Sequence, residues 1–254
     1  MTETQAIDPI EFQNAQEEYR NFLDDEQTQE AHYDDEIKEM LSKNQNRLTV
    51  RINDLRNQKP LRCKRLLQNG FHELAAFQAA LLDLVKTKYN MEDNADKINE
   101  CFISLEGSFG ARHVTPRSLT ARFLNNMVCV EGIVTRCSGI KPKIAKSVHY
   151  CEKTKKYREV SYSDWTCTNY DEKHRINSAM PTQDDEGNLL TTEYGLCTFR
   201  DTQTFTIQEM PEKAPTGQIP RSVDIIADDD LVDKIKPGDR CVIFGGCCEG
   251  QVGS

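Results

Sequence analysis

Apolar residues recur at helical spacing through the first ninety positions and at the two-residue spacing of strands through much of the remainder. Phe12, Tyr19, Phe22 and Leu23 fall on one side of a helical projection of residues 8–45, opposite a heavily acidic face, which predicts an amphipathic helical segment with a solvated outer surface. Arg47–Leu55 alternates Leu48, Val50 and Ile52, a strand period. Lys59-Pro60 then restarts a helical region whose stripe of Leu67, Phe71, Leu74, Phe77, Leu81 and Val85 ends near Tyr89. Such a stripe packs into a core rather than lining a cofactor site. From Ala111 the pattern changes: His113–Arg117 breaks the chain, and Leu124–Thr135 reads as strand, rich in Val, Ile and Cys. Ile140–Leu196 is more polar, contains Trp165, and carries TQDDEGN at Thr182–Asn188, which reads as a disordered tip. Beyond it the pattern predicts strands at Thr204–Gln208, Ser222–Ile226 and Arg240–Phe244. Between them come a Pro/Gly-punctuated loop, an acidic turn, a short helix at Leu231–Ile235 and a Pro237-Gly238-Asp239 turn. That order is the layout of a small Greek-key barrel.

With 254 residues the chain is long enough for one large domain or two smaller ones. Hydrophobic residues make up 37% and the mean hydropathy is −0.66, so most of the surface is polar. No apolar run approaches the roughly 18 residues of a membrane span, and MTETQAIDPIEF lacks the apolar core of a leader, so the chain is expected inside the cell. Its ten cysteines are scattered, and reduced thiols without a disulfide are expected, with Cys129 and Cys241 acting as small hydrophobes in strands. A net charge of −9 excludes coating nucleic acid by bulk charge. The charge is uneven, however: residues 1–40 hold 13 Asp/Glu against Arg20 and Lys38, whereas 136–158 holds eight Lys/Arg against Glu152. Any anionic partner is therefore expected at a local basic strip.

The runs QEMPEKAPTGQIPRSVDI and LVDKIKPGDRCVIFG, with RFLNNMVCVEGIVTRCSGIKPKI at Arg122–Ile144, resemble the N-terminal oligonucleotide-binding (OB) barrel of the minichromosome-maintenance (MCM) replicative helicase subunits. KSVHYCEKTKK, TEYGLCTFRDTQTFTIQEMPEKAP and the helical Asp8–Asn90 region are similar to the third paralogous branch of that family. The resemblance implies an α+β fold: a helical subdomain over 1–110, then an OB barrel split across 111–144 and 196–246. A β-rich, degenerate zinc-ribbon-like insertion would fill 145–195, and a divergent tail 247–254. It also implies a function, as the DNA-binding and ring-assembly domain of a helicase subunit acting in replication licensing and fork unwinding. The implied partners are the other MCM paralogues in a hetero-hexameric ring, helicase-loading and activation factors, and single- and double-stranded DNA. The implied location is the nucleus, with no membrane partner.

OB barrels hold single strands with Lys/Arg that track phosphates. Arg136 and Lys141, five apart in VTRCSGIKPK, resemble the basic pair lining the family's single-strand groove, and Arg221 in QIPRS resembles a further contact on the same face. Lys143 and Lys146 extend the strip, whereas Thr206 stands where archaeal relatives carry a basic residue. The competing reading is a solvated cation at each position, or, for Arg221, a salt bridge to Asp228-Asp229-Asp230. Contacts to phosphate would carry no sequence reading and would weaken steeply with salt.

In most paralogues the insertion binds zinc, which takes four thiolate or imidazole ligands in two close pairs. Here no C-x-x-C exists; the chain offers His149, Cys151, Cys167, His174 and, further on, Cys197, with any zinc ligands drawn from the first four. His149-x-Cys151 is tight and Cys167–His174 wide, so a metal-free insertion with a buried Cys151 is expected, and no cofactor. A G-x-x-x-x-G-K-[ST] loop is absent and the five histidines are scattered, so no catalytic residues are assigned; ATP and magnesium belong to the ATPase domain of the full-length subunits resembled. Past PGDRCVIFG the family barrel continues with a DNA hairpin and a closing strand, where this chain ends in GCCEGQVGS. An incomplete barrel with a frayed edge, weak self-association and reduced DNA affinity are therefore expected. Two other readings remain open: a stand-alone OB protein binding single-stranded nucleic acid, and a truncated interaction module competing with the full-length subunit through its acidic helices.

Overall fold

A computed structural model describes residues 9–24, 33–43, 45–89, 101–162, 180–184, 186–215 and 217–248. The chain divides into two compact units: Met1–His113 with Thr120–Cys129 and Phe244–Ser254, and Val114–Leu119 with Val130–Ile243.

The first unit is built from α1 (Pro9–Leu23), α2 (Tyr33–Ser42), β1 (Arg47–Arg51), α3 (Ile52–Gln58), α4 (Pro60–Gln68), α5 (Gly70–Tyr89) and β2 (Phe102–Glu106). The apolar face read from the first helix is buried, with Tyr19, Phe22 and Leu23 almost wholly inaccessible and Phe12 packed at the margin. Tyr19 stacks on Phe77 of α5, ring centroids 4.2 Å apart, which locks α1 onto α5. β1 and β2 pair in parallel, Leu48 and Val50 facing the core with Ile103 and Leu105, while Thr49 meets Ser104 and Arg51 meets Glu106 on the outer side.

The strand expected over Arg47–Leu55 stops at Arg51. Ile52 and Leu55 are both fully buried, and their three-residue spacing is satisfied by the helix α3. The single helical region expected after Lys59-Pro60 is two helices, broken at Asn69-Gly70. Pro60 opens α4 at a position where its missing N–H costs nothing, and the Gly70 N–H donates to the Asn125 carbonyl at 2.8 Å. Cys247, within the segment read as a divergent tail, exchanges backbone hydrogen bonds with Asn125 and Asn126 at 2.8 and 2.9 Å.

The second unit is a mixed sheet, so the expected order of helices followed by an OB-type β-domain holds. After β3 (His113–Val114) come β4 (Met127–Cys137), β5 (Lys141–Cys151), β6 (Lys156–Ser161), β7 (Thr191–Thr192), β8 (Thr198–Gln208), β9 (Ser222–Asp228) and β10 (Arg240–Gly246). The sheet order is β10-β4-β8-β5-β6, with β9 on β8, β7 on β5 and β3 on β4. Phe205, Ile207, Val134 and Ala227 face the interior. The helix expected at Leu231–Ile235 is instead a 3-10 turn at Asp229–Leu231. Asp229 (φ 55) and Asp233 (φ 60) sit in the left-handed region, where a right-handed helix cannot pass. In the insertion, TQDDEGN is a closed turn where it is described: the Asp184 N–H donates to the Asn188 carbonyl at 2.8 Å, and Gly187 takes φ 78. Trp165, Cys167 and His174 lie outside the described residues. No helix among the described residues is long and apolar enough to cross a membrane.

Candidate nucleic-acid interface

Strand β8 organises the face on which the basic residues gather. On one side it pairs with β9 in an unbroken antiparallel register, Thr202↔Asp228 through Gln208↔Ser222. On the other side it is lined first by β4 and then by β5, so that residues 133–146 run along it as one interrupted strand. Ile133 and Val134 oppose Gln208 and Ile207, Arg136 and Cys137 oppose Thr206 and Phe205, Lys141 opposes Thr202, Lys143 opposes Arg200, and Lys146 opposes Thr198.

Three irregularities make this possible. Strict alternation would put Arg136 on the buried side with Val134. The bulge at Thr135 inserts one residue, turning Arg136 opposite Thr206 on the exposed side and Cys137 opposite Phe205 on the interior side. A second extra residue falls between Ser138, whose N–H donates to the Thr204 carbonyl at 2.8 Å, and Lys141. A third, Ala145, returns Lys146 to the same face. Without them Arg136 and Lys141, five apart, would point to opposite faces. With them Arg136, Lys141, Lys143 and Lys146 form one row along β8, Arg136 and Lys141 roughly 13 Å apart by four strand residues.

Arg136 and Lys141 are exposed and make no ion pair or side-chain hydrogen bond with the described residues. Lys146 is engaged by Glu159 at 2.5 Å, and Lys143 and Arg200 have interactions of their own. Arg221 is not brought onto this row. It lies one residue beyond the β8–β9 ladder, its carbonyl accepting from the Glu209 N–H at 2.9 Å. Opposite the buried Glu209, alternation directs it away from Thr206. The salt bridge considered from Arg221 to the acidic turn does not form among the described residues. The loop leading to it is pinned by Arg117, which donates to the Glu209 carboxylate at 3.1 Å, to Gln218 at 2.5 Å and to the Ile219 carbonyl at 2.9 Å.

The Thr–Asp pairs on the other half of the face escaped sequence reading. Thr206 donates to Asp224 at 2.6 Å and Thr202 to Asp228 at 2.5 Å, so each cation heads a three-strand rung: Arg136–Thr206–Asp224 and Lys141–Thr202–Asp228. The alternation Thr202, Thr204, Thr206 was the available signal, since a run of threonines two apart marks a solvated strand face.

The described half of the zinc candidate set does not fit a metal. His149 is fully buried, Nε2 at 2.7 Å from the Ser147 hydroxyl and Nδ1 at 3.1 Å from the Thr192 hydroxyl, so neither ring nitrogen is open to a ligand. The Cys151 thiol is also buried. Among the described residues no three His, Cys, Asp or Glu side chains gather to hold an ion. His149 instead ties β5 to β7. Burial, then the charge of Arg158 across the strand pair, pushes its pKa below 6.5. The unfolded chain takes up that proton near 6.5 while the folded chain resists it. The contribution is therefore full above that pH and is lost as pH falls. Between pH 7.5 and 5, the unfolding midpoint of the wild type is expected to drop more steeply than that of His149→Gln, as thermal denaturation followed by circular dichroism would read.

Residues 16–107 match the family model of the MCM N-terminal domain and residues 113–249 that of the MCM OB domain. The chain is 52% identical over 245 residues, 96% of its length, to the zygotic DNA replication licensing factor mcm3 of Xenopus laevis. It is 52% identical over 250 residues to the DNA replication licensing factor MCM3 of Gallus gallus, 98% of the chain, and 50% identical over 245 residues to Mcm3 of Drosophila melanogaster, 95% of the chain. It spans about 30% of the length of these relatives.

Proposed function

Because the chain belongs to the MCM family, we propose that it is the DNA-engaging, ring-assembling N-terminal portion of a DNA replication licensing subunit. The exposed face along β8 is where it meets single-stranded DNA. The observation that supports this reading is the register. Two extra residues along one edge of β8 turn Arg136, Lys141 and Lys143 to one side, and two of these cations have no protein partner among the described residues. A row of cations on a strand face suits phosphates rather than base edges. The subunit is placed in the nucleus, in a hetero-hexameric ring with the other MCM paralogues, served by helicase-loading and activation factors and encircling double- or single-stranded DNA. ATP hydrolysis is assigned to the full-length subunits, since these residues contain no phosphate-binding loop.

The test is a salt titration of oligo-deoxythymidine binding by fluorescence anisotropy. Arg136→Ala/Lys141→Ala is expected to weaken binding at least about tenfold at low salt and to reduce the salt slope by roughly 1.4, about 0.7 for each lost phosphate contact. A double variant that binds like wild type removes the interface. Capture of the other paralogues by the wild-type chain, in parallel, tests ring assembly separately from DNA contact.

A further inference from the structure

The same face carries two carboxylates that DNA binding alone does not explain. Asp224 and Asp228 on β9 stand on the exposed side of the sheet, across β8 from Arg136 and Lys141. Each is two strands from its cation, roughly 10 Å between backbones. Each is also held in place, Asp224 by the Thr206 hydroxyl at 2.6 Å and Asp228 by the Thr202 hydroxyl at 2.5 Å. Between them on β9 sits Ile226, 65% exposed and opposite Thr204. The face thus has a positive edge, a hydroxyl-lined middle and a negative edge, with the carboxylates fixed at both ends of an apolar step.

Resting on the reading of this face as a single-strand interface, we propose that Asp224 and Asp228 form an anionic rail that confines the strand to the Arg136–Lys141 edge and keeps its binding loose. A phosphate seated on either cation lies about one Debye length from the carboxylate on the same rung and is repelled by it. Were the strand to cross β8 towards β9, its phosphates would meet the carboxylates directly. The rail therefore subtracts affinity everywhere on the face and most of all on its β9 side. It leaves one path, parallel to β8, along which a strand can shift without leaving its cations.

Asparagine tests the charge without the hydrogen bond, because its amide oxygen still accepts from the threonine hydroxyl. Asp224→Asn/Asp228→Asn is expected to unfold within a degree or two of wild type and to bind oligo-deoxythymidine about three- to tenfold more tightly at 50 mM salt, the gain shrinking as salt is raised. Binding within twofold of wild type, or weaker, while Arg136→Ala/Lys141→Ala still loses affinity, overturns the rail and leaves the interface standing. If neither pair of substitutions alters binding, the interface reading falls and the rail with it.

Discussion

Arg62→Ala is expected to lower the unfolding midpoint by on the order of 10 °C. The Arg62 side chain is 5% exposed and donates to Glu73, itself 10% exposed, at 3.1 Å, and to Glu18 at 2.9 Å. The Tyr19 hydroxyl donates to the other Glu73 oxygen at 2.7 Å, and Tyr19 is the ring that stacks on Phe77. One arginine therefore joins α4 to α1 and α5 at the point where α1 is locked down. Removing it leaves the Glu73 carboxylate buried against the Tyr19 phenol without its cation, and breaking a buried pair from one side costs about 3–5 kcal/mol. Each kcal/mol moves the midpoint of a chain this size by about 2–4 °C. Calorimetry of Arg62→Ala beside Arg62→Met/Glu73→Leu separates the charge left behind from the lost pair. The apolar double variant is expected to recover most of the loss, because both ends of the pair are gone. A loss below about 1 kcal/mol for Arg62→Ala would mean that water reaches Glu73 and that the network is peripheral. The hydrogen bond from Arg62 holds the Glu18 carboxyl below its usual range, so Glu18 supports folding at neutral pH and that support fades on acidification. Arg62→Ala is therefore expected to show its largest deficit at neutral pH.

Helical spacing made the first unit largely legible, because burial on one side of a helix leaves a periodic trace. Tyr19 and Phe22 on one stripe and Phe77, Leu81 and Val85 on another were readable from spacing, and all are buried. What spacing missed there are the joints. Ile52 continues a strand alternation and begins a helix, and the two patterns share that residue. In the β-unit the strands were legible but the faces were not. Alternation assigns faces only while the register is unbroken, and residues 133–146 break it three times. Arg136 and Lys141 were chosen by resemblance, and simple counting would have set them apart. Arg221 was chosen in the same way, and the ladder turns it elsewhere. Asp224 went unread, and Asp228 was read only as a partner for Arg221, because an acidic strand residue looks solvated in sequence, and only pairing reveals that it shares a face with cations.

Gly132→Val is expected to cost about 3 kcal/mol and to weaken DNA binding together with stability. Gly132 lies on β4 where the chain presses closest to β8: a Cβ there would stand 2.7 Å from the Gln208 carbonyl oxygen and 3.2 Å from the Ile207 Cβ. Both are fixed groups, the first a backbone atom of the pairing strand and the second attached to a fully buried residue, so neither can swing aside. Gly70 makes the contrast. Its Cβ would meet Met127 Cγ at 2.6 Å and Sδ at 2.7 Å, which a rotamer change can move, and a backbone atom, the Met127 N, only at 3.2 Å, so Gly70→Ala is the milder change. Relief of the clash at Gly132 requires β4 to move off β8, and the next rungs are Ile133↔Gln208 and Val134↔Ile207, followed by the bulge that turns Arg136 outward. The substitution therefore acts on the interface through register, without touching a cation. Urea unfolding and oligo-deoxythymidine binding, measured on the same preparation at a temperature where the variant remains folded, distinguish the two effects. Lost stability with wild-type affinity would mean that the position of Arg136 does not depend on the pairing beside it. Lost stability with an affinity near that of Arg136→Ala would show that β4 pairing carries the site.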